Sequence, residues 1–523
     1  MRKRLDHFAR STGGAGPILL MFAAFAVTFL TVSTAMRLFG GKDDVEHAAV
    51  KSIQATAVVS DVTNALPSIT PTGTEVLAKE PADEPKNFAV ETKTEGVTLA
   101  LSSDSKEAVT EKEFAEETLP LVANKNTLPE EGEQELPPFN VWLTKLWPEA
   151  QARGVSRETF ERATAGIEPE MSLPDLVFPG RDRHSAASGQ AEFVKSPEAY
   201  LTEKSLRRLA AEGREKLEEH GEVLTEIEEK YGVSRYVVLA IWGRESNFGA
   251  ENFKQSAIRA LATQAYAGRR RAQFREELLV ALTLLERRVV ALEDMRGSWA
   301  GAMGQTQFMP SDYDKYAVDQ DGDSRPNPWS SLPDALASAA NQLARNGWIA
   351  KDRWGYEVSI KKSFDCTLAT PEITRPVEEW ADLGVRLPNG KSLSDETRGL
   401  QASMLMPAGD YGPSFLTTQN FLAIKAYNAS ELYALFVGHL SDRIAGGKSF
   451  VKSWVKVTQT GSRDVEALQV KLKQLGIYND KIDGKAGSRT RAAVGAYQRL
   501  QNLPQDCWPG PSVVSHVEKL AAR

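Results

Sequence analysis

Cysteine is nearly absent from this chain of 523 residues: Cys366 and Cys507 are the whole complement, and no Cys-x-x-Cys spacing occurs. A thiolate zinc ribbon and a disulfide-dense scaffold are therefore excluded. The two thiols are either free or joined in one long-range bridge, and the sequence leaves both open. Histidine is scarce as well. His7, His47, His184, His220, His439 and His516 stand far apart, so no zinc site suggests itself. An excess of positive charge is also missing: the net charge is −7, which gives no support to a nucleic-acid partner. At this length one ordinary core is not enough, and two or more domains are expected.

Long apolar runs are rare, and the clearest lies at the amino end. Arg2, Lys3, Arg4 and Arg10 form a basic tail over residues 1–16, followed by an apolar run over 17–39. About 20 apolar residues suffice to span a bilayer, and the basic flank is expected to stay in the cytoplasm. The length of the run favours an uncleaved anchor in the inner membrane. The alternative is export after signal cleavage near Ser33-Thr34-Ala35. Either way the remainder is delivered to the periplasm. Residues 40–136 almost lack aromatics, show no period and carry about 20 acidic against about 8 basic residues. That composition predicts a disordered acidic linker, with a reach of about 50–60 Å.

From residue 137 to 455 helical signals dominate: Thr202 to Tyr231, Ser234 to Ser246, Arg270 to Arg296, Pro333 to Asn346 and Ala429 to Ala445. Strand alternation is scarce outside Trp354 to Phe364. In the run Ile241 to Gly249, with Ser234 as N-cap, Val238, Ile241, Trp242 and Glu245 share one helical stripe. Three are core formers and the fourth is an acid. A carboxylate held against Trp and Ile loses hydration, so its pKa should rise. That suits a general acid for glycosidic-bond cleavage; a capping or paired glutamate is the plainer alternative. No second carboxylate is marked as its partner: Glu251 lies beyond the glycine, and the long run Gly297 to Pro310 contains no acid. That run offers Ser298, Gln305, Thr306 and Gln307 for hydrogen bonds to sugars. Arg269-Arg270-Arg271 reads as a solvated helix start, with peptide carboxylates as an alternative partner.

Several of these pieces occur together. Phe139-Asn140-Val141-Trp142-Leu143, Gln190-Ala191-Glu192-Phe193, the Trp242 to Gly249 run, Gly297 to Ser311 and Tyr427-Asn428 stand in an order that resembles the membrane-bound lytic murein transglycosylase B family. The resemblance runs from Phe139 to Asp442 and implies a mainly α, lysozyme-like catalytic domain. It implies a reaction in which one glutamate, here Glu245, protonates the bond between N-acetylmuramic acid and N-acetylglucosamine. The same group then takes the C6 hydroxyl proton, closing a 1,6-anhydro ring without water. It further implies that Ser298, Gln307, Asn428 and Tyr433 line the groove for peptidoglycan glycan strands. Two alternatives stand beside this one: a muramidase that uses water, and a catalytically silent wall-binding anchor.

No cofactor is required by that chemistry. Asp319, Asp321 and Asp323 are spaced like the start of a calcium loop, and in the family such a site can occur here, with Asp334 matching a later ligand. Ser324 replaces the glycine expected at the sixth position, and Ser330 stands where a closing glutamate would. A structural calcium ion and a plain acidic turn are both open.

Residues 462–523 resemble a small three-helix peptidoglycan-binding domain. Val465, Leu468, Leu472 and Leu475 make one stripe ended by Gly476, and Asp483 to Gly487 feeds a helix carrying Thr490, Ala493, Val494, Tyr497 and Gln498. Asp506-Cys507 replaces the Asp-Gly usual in that family's last loop. The module carries no acid–base pair and is expected to bind wall rather than cut it. Protein partners are not named by the sequence.

Overall fold

Helix boundaries in the catalytic region follow local chemistry. Thr202 accepts a hydrogen bond from the Ser205 amide (3.4 Å) and starts α1, Glu203–Glu219, which buries Leu206, Leu209, Ala210 and Gly213 along one stripe. One helix was expected from Thr202 to Tyr231, but the backbone breaks at His220 (φ −120°, ψ 23°). A second helix, α2, Gly221–Tyr231, then ends on Gly232 at φ 67°. In α3, Arg235–Ser246, Val237 to Gly243 are all buried, so the helix is apolar around its whole circumference there. Ser234 sits at its N-cap position without a side-chain cap bond.

The structure, a computed structural model, describes residues 136–177, 191–251, 253–393, 397 and 399–521. The basic tail, the apolar run and all but the last residue of the linker lie outside them. Among the described residues no helix is long and apolar enough to cross a membrane.

Two apolar clusters carry the helical body. The first surrounds α3 with Leu336 and Leu343 of α6, Leu332–Arg345, Phe421 of the later helix Gln419–Tyr427, and Leu440 of Glu431–Ile444. The second joins α4, Ala257–Ala267, to α5, Arg271–Glu286, through Leu261, Phe274, Leu278 and Leu282, and reaches Met303 and Phe308. Tyr427 packs against both. The helix expected over Arg270 to Arg296 stops at Glu286. Beyond it Arg288 is left-handed (φ 55°), and Arg296 and Gly297 pair with Ser256 and Gln255 as a short ribbon. Arg269 and Arg270 face Asp175 (3.1 and 3.5 Å) at the start of α5.

A four-stranded antiparallel sheet was not anticipated beyond its first strand. It consists of β1 Gly355–Val358, β2 Thr374–Pro376, β3 Gln401–Leu405 and β4 Ser414–Thr417 in the order β1-β4-β3-β2. Thr417 pairs with both Gly355 and Ser403, and Thr374 with Ser403. β4 is buried at all four positions, which erases the period of two. Pro376 lies on the edge strand, where it disrupts no central ladder. Trp380, fully buried, donates to the Ala402 carbonyl (2.8 Å) and anchors the third cluster.

After α7, Gln419–Tyr427, and α8, Glu431–Ile444, the chain enters α9, Ser462–Gln474, α10, Ser488–Leu500, and α11, Pro511–Ala521. Leu468, Leu472, Tyr478, Val494, Tyr497 and Val513 form their core. Leu475, expected in the buried stripe, is 48% exposed because it caps α9 after its last turn. This module is fastened to the sheet. Cys366 and Cys507 are disulfide-bonded across 141 residues, and both belong to the sheet's apolar cluster. Cys507 adopts φ 54°, in the left-handed region that favours glycine. Asp506 accepts from the Tyr411 hydroxyl (2.7 Å), and Arg499 pairs with Asp365 (2.6 Å). Changing Cys366→Ser and Cys507→Ser together is expected to lower stability by about 2–5 kcal/mol. Denaturant midpoints in oxidising buffer check this, and equal midpoints would mean that the non-covalent contacts suffice.

Candidate active site

Glu245 lies in the last turn of α3. Asn247, Phe248 and Gly249 all take left-handed φ values (51°, 57° and 79°), which fold the chain back on the helix. The Phe248 ring then lies against Gly243, where an added Cβ would meet the ring at 2.5 Å. Any larger residue at 243 would push away the turn that follows the acid. One turn earlier, Trp242 Nε1 donates to Gln305 Oε1 (3.0 Å), which fastens the glycine-rich loop to the same helix.

The Tyr433 hydroxyl donates directly to Glu245 Oε1. Burial pushes the Glu245 carboxyl up to about 7; the Tyr433 bond and the Arg244 charge oppose the rise, and the negative Glu192 adds to it. Burial together with the Glu245 charge holds the Tyr433 phenol well above its ordinary value, so it remains a donor. Tyr433 was expected to line the groove. Instead it is 1% exposed, and its accessible role is to hold the carboxylate.

The other expected groove residues are arranged around this pair. Asn428, half-buried, donates to Glu192 Oε1 (3.2 Å) and so stands one residue removed from Glu245. Tyr427 stacks on Tyr433 (centroids 6.4 Å apart, planes at 10°) and donates to the Thr306 carbonyl (2.7 Å). Ser298 and Gln307 occupy the glycine-rich loop and make no contact with Glu245. The Ser298 amide bonds Ala302 (2.8 Å), and Gln307, at φ 53°, turns its amide to Gly304 (3.0 Å). Both are half-buried.

Two participants escaped the sequence reasoning. Glu192 is a second, buried carboxylate that acts electrostatically on Glu245; the Gln190 to Phe193 motif contained it, but a separation of 53 residues concealed the proximity. Arg244 donates to the Tyr200 hydroxyl (2.8 and 3.2 Å) and lies over the Tyr200 and Phe436 rings (5.3 and 5.5 Å). Its positive charge beside the acid keeps the pKa of Glu245 from rising further. A cavity of about 280 Å³ adjoins the site. Glu192, Lys195 and Ser430 line it on one side, and Tyr478, Lys485 and Arg489 of the terminal module on the other. Glu245 is not in its lining; Glu192 connects the two.

Asp319, Asp321 and Asp334 bring carboxylate oxygens within 4.8 Å of one another. Asp334 is fully buried and accepts from the amides of Gln320, Asp321 and Asn327 (2.7, 3.2 and 2.8 Å). Asp323, expected as a ligand, does not join them and accepts from the Arg325 amide (2.8 Å). Ser324 takes the left-handed conformation (φ 73°) that glycine commonly supplies at that position. Three hard oxygen donors fit a calcium-like ion.

The raised pKa of Glu245 has a cost in stability. Between about 4.5 and 7 the folded state keeps a proton that the unfolded chain releases, so stability falls as pH rises through that window. Glu245→Gln removes the cost. The variant is expected to be about 2–3 kcal/mol more stable than the parent above pH 7 and no more stable below the carboxylate range. Paired denaturation curves on either side of that window test it.

The chain is similar to known proteins over both its helical body and its terminal module. Residues 138–442 match the Transglycosylase SLT domain, and 461–516 match the Putative peptidoglycan binding domain. The membrane-bound lytic murein transglycosylase B of Escherichia coli (strain K12) is 32% identical over 222 residues, which are 41% of this chain and 58% of that protein's length. The crystal structures of SltB3 from Pseudomonas aeruginosa, in complex with NAG-anhNAM-pentapeptide and with NAG-NAM-pentapeptide, are each 39% identical and cover 73% of this chain and 99% of theirs, with TM-scores of 0.64 and 0.65. With more than half of its length matched, the chain belongs to the Transglycosylase SLT domain family.

Proposed function

We propose that the protein is a lytic murein transglycosylase of the cell envelope. It would cleave the MurNAc–GlcNAc bond of peptidoglycan and leave 1,6-anhydro-MurNAc ends. The observation that carries this reading is a carboxyl desolvated to a pKa of about 7 and held by a phenol, so that it can give a proton and take one near neutral pH. In the first step Glu245 protonates the glycosidic oxygen as that bond breaks, and the N-acetyl carbonyl of the substrate stabilises the cationic C1. In the second, Glu245 accepts the C6 hydroxyl proton as O6 bonds to C1, which restores the acid. The relatives in complex with anhydro and intact muropeptides support this substrate class.

A hydrolytic reading has one observation in its favour. Glu192 is a second buried carboxylate coupled to Glu245, and a carboxylate of that kind could activate water. Mass spectrometry of sacculi digested by the full-length protein separates the two. Products one water lighter than the reducing muropeptides establish the lyase, and reducing ends that are lost in Glu192→Gln establish hydrolysis through Glu192. In either case Glu245→Gln is expected to lower the rate by about 10³ or more, with binding to sacculi retained.

Anchoring through residues 17–39 and the acidic linker belongs to the same reading: it places the enzyme on the periplasmic face of the inner membrane, within reach of the wall. The triad of Asp319, Asp321 and Asp334 would hold a structural calcium ion, which would fix the loop after the glycine-rich run and play no part in bond cleavage. Calcium added to metal-free protein is expected to raise the melting temperature by several degrees. Asp321→Asn should lose that response, and a parent protein indifferent to calcium would exclude the ion.

A further inference from the structure

The terminal module reaches the catalytic acid through a buried ion pair. Arg491, in the first turn of α10, donates Nη2 to Glu431 Oε2 (2.7 Å) and Nη1 to the Ala486 carbonyl (2.6 Å). The two side chains are 8% and 14% exposed. Burial opposes the charge on Glu431, but Arg491, Lys425 and the hydroxyl of Ser488 outweigh it and hold the carboxyl at about 2. The pair is therefore charged at any pH the envelope meets. A pair this buried leaves a strongly disfavoured charge behind when one partner is removed.

The position of Glu431 matters as much as its charge. It is the first residue of α8, where a carboxylate also meets the positive end of the helix. Ser430 before it caps the helix by accepting from the Tyr433 amide (3.2 Å). Tyr433 thus belongs to the same first turn, the part of a helix that opens most easily. Its hydroxyl reaches Glu245 only while that turn is wound.

We propose that Arg491 is a positioning residue for the reaction: by holding Glu431 it keeps the first turn of α8 wound and Tyr433 on Glu245. The wall-binding module thereby organises the acid as well as concentrating substrate. This rests on Glu245 being the acid of the proposed function. Arg244, Glu192, Tyr200, Tyr427 and Tyr433 are the charged and titratable groups around Glu245, and an exchange at 491 leaves the first four in place.

The test uses the full-length protein on soluble, uncross-linked glycan, for which affinity for intact wall is not limiting. It records kcat and KM for the formation of chain ends against pH. The Tyr433 hydrogen bond lowers the pKa of Glu245, so its loss must raise it. Arg491→Met is expected to lower kcat about tenfold, the size of a loosened charge-assisted hydrogen bond, and to move the alkaline limb of kcat to higher pH. Tyr433→Phe should move the limb the same way, the double variant no further, and Arg491→Lys should restore part of both effects. Glu431→Gln, nearly identical in shape, should reproduce Arg491→Met without disturbing module packing. A module that matters only for docking would raise KM and leave the limb in place, and that result overturns the proposal. So does a limb shift in Arg491→Met that adds to that of Tyr433→Phe. Full activity in Glu245→Gln would instead overturn the assignment of the acid itself.

Discussion

The hydrogen bond from Tyr433 to Glu245 is the contact on which the site depends. With burial alone the Glu245 carboxyl would be held higher still and would serve less well as a base. A carboxyl fully stabilised by cations would not protonate a sugar oxygen. The phenol sets the balance: it stabilises the anion without carrying a charge of its own and remains protonated because it is itself buried. Arg244 acts in the same direction, with its guanidinium held by the Tyr200 hydroxyl and two rings.

That contact in turn depends on one short segment. Between Tyr427 and Tyr433 the chain leaves α7, turns and begins α8. Tyr427 holds the glycine-rich loop at Thr306, Asn428 holds Glu192, Ser430 caps α8, Glu431 receives Arg491 and Tyr433 holds the acid. Two apolar clusters meet at Tyr427, so the segment sits at the seam of the helical body. Groups from distant parts of the chain converge here because a single turn between two helices presents side chains in several directions at once.

What could be read from the sequence divides along physical lines. The acid and its helix were readable, since one carboxylate among core formers stands out within four residues. The glycine-rich loop was readable as an unusual composition. The roles within the site were less so. Tyr433 looked like a groove residue because an aromatic hydroxyl in a motif does not reveal which way it faces, and Glu192 was invisible as a partner because proximity across 53 residues is a tertiary fact. Strands β2 to β4 were missed because they are three to five residues long, too short to show a period, and β4 is buried at every position. Leu475 fitted the stripe of α9 by spacing, yet the helix ends before it. The cysteines were undecidable by count alone, and only the docking of the module on the sheet brought their sulfurs together.

That last bond imposes an order on how the enzyme comes into being. Cys366 and Cys507 lie 141 residues apart in sequence, so the bond cannot close until the sheet and the module that docks on it have both been made. Nor does it form in a reducing cytoplasm. The covalent clamp between the terminal module and the helical body thus closes only in an oxidising setting. In reducing surroundings the two parts hold together by their non-covalent contacts alone, among them Tyr411 on Asp506 and Arg499 on Asp365.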